Sequence, residues 1–137
     1  MNETNDINIY PKEWGSEHWI VNLDYCGKKL VLHRGYRCSI HYHKIKEETF
    51  YVIKGLVYME INGQHRVLFP GDKQHIAVGE THRFTGLEDS EMIEFSTHHR
   101  EDDSYREAPS GKVPDAEFQL LIRTAVKIPE QRHSLDR

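Results

Sequence analysis

From Trp14 to Thr97 apolar and polar residues alternate in short runs, with turn-forming residues recurring roughly every 8 to 12 positions. The runs fall at 18–23, 28–34, 37–43, 48–54, 56–61, 64–69, 73–77, 82–85 and 91–97. Between them stand Gly27, Gly35, Gly55, Asn62-Gly63, Pro70-Gly71-Asp72 and Gly79. Asn62-Gly63 separates two alternating runs by two residues that tolerate positive φ, which predicts a tight hairpin. Nothing before residue 100 favours a helix. Many short strands without helical interruption predict an all-β antiparallel sandwich or jelly-roll barrel. The character changes after residue 100. Glu101-Asp102-Asp103 is a charge run, and Pro109, Gly111 and Pro114 mark a loop. Asp115 is placed to cap a short helix, although the adjacent apolar residues after it fit an extra strand nearly as well. The expected organisation is a loose arm over 1–13, a barrel over 14–106 and a C-terminal extension over 107–137, frayed from Pro129.

On this scaffold one group of residues has metal-binding chemistry. His41 and His43 are two apart, so strand alternation points both rings to one face. Glu48 follows across a short turn and can return on the neighbouring strand. His82 must arrive from a distant strand, which a folded-over sheet allows. Three imidazoles and a carboxylate suit one divalent transition metal ion, such as Zn, Mn, Fe, Co or Ni, and suit Ca or Mg poorly.

These residues resemble the cupin superfamily. Its first motif, Gly-x5-His-x-His-x3/4-Glu-x6-Gly, is matched by Gly35, His41, His43, Glu48 and Gly55. Its second, Gly-x5-Pro-x-Gly-x2-His-x3-Asn, is matched by Gly71, Gly79 and His82, with Ala77 in place of Pro and Gly86 in place of Asn. The resemblance implies a cupin-type antiparallel jelly-roll barrel with a metal held by His41, His43, Glu48 and His82. A narrower resemblance is to the small cupin domain of mannose-6-phosphate isomerase, as found fused to mannose-1-phosphate guanylyltransferase. It rests on Trp14-Gly15-Ser16, on the stretch from Ser39 to Glu48, on Ile93-Glu94-Phe95, and on Glu101-Asp102-Asp103-Ser104-Tyr105-Arg106. His41 stands where Gln is usual and Lys46 where Arg is usual, so the substrate can differ from that family's. A homodimer paired through outer sheets is a further expectation carried by the resemblance.

Aldose–ketose isomerisation needs a polarised hydroxy-carbonyl and a base that moves a proton between C1 and C2 through a cis-enediol. Lys46, between His43 and Glu48, is a candidate to bind a phosphate or an enediolate oxygen, or else a solvated loop lysine. Glu94 is the candidate base if it shares the interior face with Met92, Ser96 and His98; in the opposite phase Ile93 and Phe95 fill the core instead. His98, beside His99, is a second acid–base candidate. Arg37 is in phase with 39, 41 and 43 and is expected to line the pocket, whereas Arg83 should face away. One or two of Trp14, Trp19, Tyr42, Tyr51 and Phe84 could stack on a sugar ring.

Composition narrows the classes that remain. At 137 residues one core is expected. A net charge of −4 offers no strong basic field to hold a nucleic-acid backbone. No apolar run approaches the length of a membrane-spanning helix, and the polar start Met1-Asn2-Glu3 lacks a secretory pattern, so a cytoplasmic location is expected. Two irregularly spaced cysteines, Cys26 and Cys38, read as reduced thiols near the barrel wall. The favoured reading is a metal-dependent isomerase or epimerase of a sugar or sugar phosphate. A non-haem iron dioxygenase and a non-catalytic sugar-binding module are the alternatives.

Overall fold

The computed structural model describes residues 6–126. In chain order its strands are β1 (Asn8–Lys12), β2 (Gly15–Asn22), β3 (Tyr25–Leu32), β4 (Tyr36–Arg37), β5 (Ile40–Tyr42), β6 (Glu48–Lys54), β7 (Val57–Ile61), β8 (Gln64–Leu68), β9 (Lys73–Ile76), β10 (His82–Gly86), β11 (Ser90–Thr97), β12 (Tyr105–Ala108) and β13 (Gly111–Lys112), followed by helix α1 (Asp115–Val126). They form two antiparallel sheets. One has the order β1-β2-β3-β11-β6-β9; in the other, β10 is flanked by β4 and β5 on one edge and by β7 and then β8 on the other, with β12 and β13 outermost. This is the expected jelly-roll architecture.

Period-two patterning builds the interior. In β3 the buried positions are Cys26, Lys28, Leu30 and Leu32, in β6 Glu48, Phe50 and Val52, and in β11 Ser90, Met92 and Glu94. Register sets Met92 beside Leu30 and Val52, and Glu94 beside Lys28 and Phe50. The three adjacent rows therefore change from apolar to ionisable at the same end of the sheet. The apolar end joins Trp14, Met59, Leu68, Ile76 and Phe84 in the main core. The ionisable end is where a polar cavity opens.

The hairpin at Asn62-Gly63 forms as expected, with φ of 49° and 80° joining β7 to β8. The stretch expected as a loose arm differs: Asn8–Lys12 pairs along its length with β2. Pro11 is compatible with that because β1 is an edge strand, where a missing N–H breaks no ladder. The loop expected around Pro109, Gly111 and Pro114 also contains strands, since β12 and β13 pair with β5 and β4. After Pro114 the chain is helical. Phe118, Leu121, Ile122 and Ala125 recur at helical spacing and pack with Tyr58, Val67, Leu87 and Val113, which decides against a strand. Asp115 and Glu117 lie in the first turn, where unpaired N–H groups favour anions. The stretch from Pro129 lies outside the described residues. Cys26 and Cys38 are buried free thiols, and burial pushes Cys38 up to about 12.

Gly55, which closes the first motif, has φ of 94°, and a Cβ there would lie 2.6 Å from the Asp89 carbonyl oxygen. Gly63 also has positive φ but open space around it. Gly63→Ala should therefore cost about 1–2 kcal/mol, the penalty for left-handed backbone alone, whereas Gly55→Ala adds overpacking and should cost about 1–3 kcal/mol more. Urea unfolding midpoints check this; equal losses in the two variants would refute the close approach at Gly55.

Candidate metal centre

His41 is the middle residue of the short strand β5, His43 follows the strand, Glu48 opens β6 and His82 opens β10. His41 and His82 are register partners, which brings the distant ligand across from the second motif. The three rings present ligand nitrogens within 4.8 Å of one another. Glu48 Oε2 lies 3.2 Å from His43 Nε2 and 3.0 Å from His82 Nε2. All four expected ligands converge.

Each ring is oriented by a backbone carbonyl. His41 Nδ1–H donates to Ser39 O (2.8 Å), His43 Nδ1–H to Asp103 O (2.7 Å) and His82 Nδ1–H to Glu80 O (2.9 Å). A carbonyl only accepts, so in the neutral ring the proton is on Nδ1 and Nε2 carries a lone pair, as metal ligation requires. Burial, with the His82 ring beside it, lowers His41 to about 3, so its ring is neutral at neutral pH. Glu48 Oε2 and His82 Nε2 are buried and accept or donate no hydrogen bond among the described residues. A lone pair facing a carboxylate oxygen at 3.0 Å is unfavourable unless a cation stands by both. The donor set, its tautomers and its orphaned atoms fit a divalent transition metal held by His41, His43, Glu48 and His82.

Two loops hold this geometry. Asp103 is 3% exposed, and its carboxylate accepts the backbone N–H groups of Lys44, Ile45 and Lys46, fixing the turn between His43 and Glu48. In the second loop, Ala77 N–H donates to Glu80 Oε1 at 2.7 Å, a bond that proline at this position could not make. At Gly86 a Cβ would lie 2.9 Å from His33 O, which explains why Asn is absent there. Both departures from the second motif thus have a local cause.

Beside the candidate ligands lies a buried ionic chain. Lys46 Nζ donates to Glu94 Oε2 at 3.0 Å and to His99 Nδ1 at 3.1 Å, and lies 3.4 Å from Glu48 Oε1. Burial would lower the lysine, but Glu94 and Glu48 outweigh it and raise it above its ordinary value. Burial would likewise raise Glu48, but the Lys46 ammonium beside Oε1 favours its charged form and holds it below the usual carboxylate range. Burial and the charges of Lys28 and Lys46 lower His99. Lys28, 1% exposed, lies 3.3 Å from Glu17 Oε1 and over the Trp19 ring. Glu94 accepts a second hydrogen bond from Ser96, leaving its Oε1 without a protein partner among the described residues.

The other candidates separate. Glu94 takes the interior phase, with Met92 buried beside it and Phe95 exposed. Lys46 lines the cavity and is buried, but its ammonium is occupied by Glu94, Glu48 and His99, which argues against a free phosphate ligand. Arg37 does not line the cavity; its guanidinium pairs with Glu117 of α1 at 2.5 Å. The cause is a one-residue slip. Thr85 pairs with Arg37 but His82 pairs with His41, so β4 and β5 span one residue more than β10 and the faces exchange. His98 is exposed and donates to Leu23 O, because strand alternation ends at Thr97; His99 turns inward, its backbone held by Asn22. Arg83 faces away as expected, donating to Cys38 O and Pro109 O. Of the aromatics, Trp14 and Phe84 line the cavity, whereas Tyr42 stacks on Tyr105. Lys28 and Glu17 also line the cavity, and the sequence signal for them is that Lys28 interrupts the apolar row of Leu30 and Leu32.

His43→Ala should lower metal content several-fold and reduce the thermal midpoint, because metal binding is coupled to folding of the strands that hold it. Undiminished metal by elemental analysis would refute the site. Asp103→Ala should destabilise by about 2–3 kcal/mol, the scale of hydrogen bonds to a charged acceptor. Burial would raise the Asp103 carboxyl, but the N–H groups of Lys44, Lys46 and Ile45 depress it, so its contribution is complete above the ordinary aspartate range. The stability gap between the two proteins should stay constant above about pH 5 and close progressively below it; a gap that widens on acidification would be inconsistent with this role.

Several solved structures share the fold. KdgF from Halomonas sp. is 24% identical, with 74% of this chain and 94% of that one covered and a TM-score of 0.65. An RmlC-like cupin from Shewanella frigidimarina is 19% identical, covering 74% and 91%, with a TM-score of 0.64. Oxalate decarboxylase from Bacillus subtilis, a protein with Mn(II) centres, is 17% identical over 74% of this chain and 30% of its own, with a TM-score of 0.63. No curated protein matches the chain in sequence. The cupin domain family model matches residues 29–97, spanning both histidine-bearing motifs, and the chain belongs to the cupin domain family.

Proposed function

We propose that the protein is a metal-dependent isomerase or epimerase acting on a sugar or sugar phosphate. The observation that carries this reading is Glu94, a buried carboxylate that lines the same cavity as His41, His43 and Glu48 and keeps one oxygen free of protein partners. The cavity, of about 400 Å³, is within the size range of small-molecule sites. Its wall is rich in charged groups, including Glu17, Lys28 and Lys46, and this suits a hydroxylated substrate better than an apolar one. A metal bound by the three histidines and Glu48 would supply Lewis-acid polarisation of a hydroxy-carbonyl pair.

The chain's own residues supply the remainder of the chemistry. Glu94 Oε1 takes the proton from the carbon next to the carbonyl and delivers it to the former carbonyl carbon, while the proton of the adjacent hydroxyl passes to the former carbonyl oxygen, so that the exchange is proton-neutral. Lys46 acts as a positioning residue: it holds Glu94 and Glu48 at fixed separation and offsets the charge of two neighbouring carboxylates. His99 accepts from Lys46 through Nδ1, which leaves its Nε2–H directed to Glu101 Oε1 at 3.2 Å on the rim. Trp14, Phe50 and Phe84 form the apolar floor and restrict water below the reacting carbons. The same ligand set also fits oxygen chemistry, which would show as iron acquisition and O2 consumption, and a binding module would retain its ligand when Glu94 is replaced.

Proton NMR of the metal-replete protein with aldoses, ketoses and their phosphates in D2O tests the proposal. Metal-dependent conversion with deuterium entering at C1 or C2 is the expected result. No conversion, with metal firmly bound, would overturn it. Glu94→Gln should slow conversion at least about 100-fold, the usual scale for a lost general base, with metal content unchanged. Conversion at the original rate would remove Glu94 from the base role.

A further inference from the structure

The cavity is lined by four Lys or Arg side chains: Lys12, Lys28, Lys46 and Arg106. Three of them face carboxylates. Lys12 and Lys28 lie 4.0 and 3.3 Å from Glu17, and Lys46 lies 3.0 Å from Glu94. Arg106 differs, for its guanidinium has no hydrogen bond or ion pair among the described residues, and its side chain is exposed to the cavity mouth. The acidic residues of the rim are engaged elsewhere: Glu13 accepts from Ser110 at 2.7 Å, and Glu101 faces His99.

Strand register fixes the side to which Arg106 points. In the antiparallel pair of β12 and β5, Tyr105 is opposite Tyr42 and Arg106 is opposite His41. Directly opposed residues share a face. The two tyrosine rings stack at 5.2 Å, with the Lys44 ammonium over Tyr105, and so mark the outer face. Arg106 therefore shares the inner side with the metal ligand His41. An arginine carries its charge at all working pH values, and its planar fork matches two oxygens of a phosphate or carboxylate.

We infer that Arg106 binds an anionic oxygen group of the substrate, a phosphate or a carboxylate, and so selects charged over neutral sugars. The inference rests on the sugar-isomerase reading and adds the substrate's charge and orientation to it. The anionic end lies on the β12–β5 side, and the reacting carbons lie toward Glu94 on β11 in the facing sheet. Lys46 cannot supply this contact without leaving two carboxylates.

The test uses the full chain loaded with Zn(II) and follows the Arg106 Nε–H resonance, assigned by its loss in Arg106→Gln. Inorganic phosphate, glucose 6-phosphate and glucuronate are titrated, with glucose as the neutral control. The expected result is a saturable shift of that resonance with the anions and none with glucose. Arg106→Gln should weaken binding of the charged sugars at least tenfold and leave both the thermal midpoint and glucose binding unchanged, while Arg106→Lys should recover part of the loss. Tighter binding of the phosphate ester identifies phosphate as the group recognised; tighter binding of the uronate identifies carboxylate. A resonance untouched by every anion, or wild-type affinities in Arg106→Gln, would overturn the inference. The conversion assay separates the two proposals. Conversion with the same KM for charged sugars in Arg106→Gln overturns only this one, and anion binding at Arg106 without conversion of any sugar overturns only the isomerase.

Discussion

Three hydrogen bonds from imidazole Nδ1 to backbone carbonyls set the chemistry of the whole cavity. Each fixes a ring's rotation and tautomer together, so that Nε2 faces the centre with its lone pair. The carbonyls come from three separate places: Ser39 at the break between β4 and β5, Glu80 in the turn before β10, and Asp103 in the link between β11 and β12. A ligand ring is correctly aimed only when all three loops are folded. The precision of the site therefore depends on long-range closure of the two sheets, with Asp103 serving twice, through its carbonyl to His43 and its carboxylate to the turn leading to Glu48.

The ionisable ends of β3, β6 and β11 represent a choice against stability. Lys28, Glu48 and Glu94 occupy positions whose neighbours along each strand are Leu30, Phe50 and Met92. Replacing such charges with apolar residues would extend the core and avoid their desolvation. Pairing limits the cost. Lys46 reaches Glu94 and Glu48, Lys28 reaches Glu17, and one oxygen of Glu94, a residue of the cavity wall, is left without a protein partner among the described residues. Buried charge arranged in this way, next to converging imidazoles, makes physical sense as preparation for a polar ligand.

The outer strands change how the cavity mouth is viewed. β1 and β12 each add to the edge of a sheet, and each contributes to the rim: Lys12 and Pro11 from one, Arg106 from the other. Charge at the rim is therefore set by segments outside the two histidine-bearing motifs.

The sequence by itself determined the strand alternation, the Asn62-Gly63 hairpin and the positions of the three histidines and Glu48 that the fold brings together, because these depend on local period and on spacing within two short motifs. It also limited Glu94 to two phases. Only the tertiary structure decided which phase holds, since the face of β11 that is buried depends on β3 and β6 beside it. The same applies to Arg37: a single extra residue between β4 and β5 reverses the face that simple alternation assigns, and turns its guanidinium to Glu117. Beyond Thr97 the strand ends and alternation carries no information, so His99 rather than His98 enters the cavity. Arg106 acquires its place through pairing with β5, a contact between residues 65 apart in sequence. Side-chain direction within one strand is a local property; which strand is adjacent, and in what register, is not.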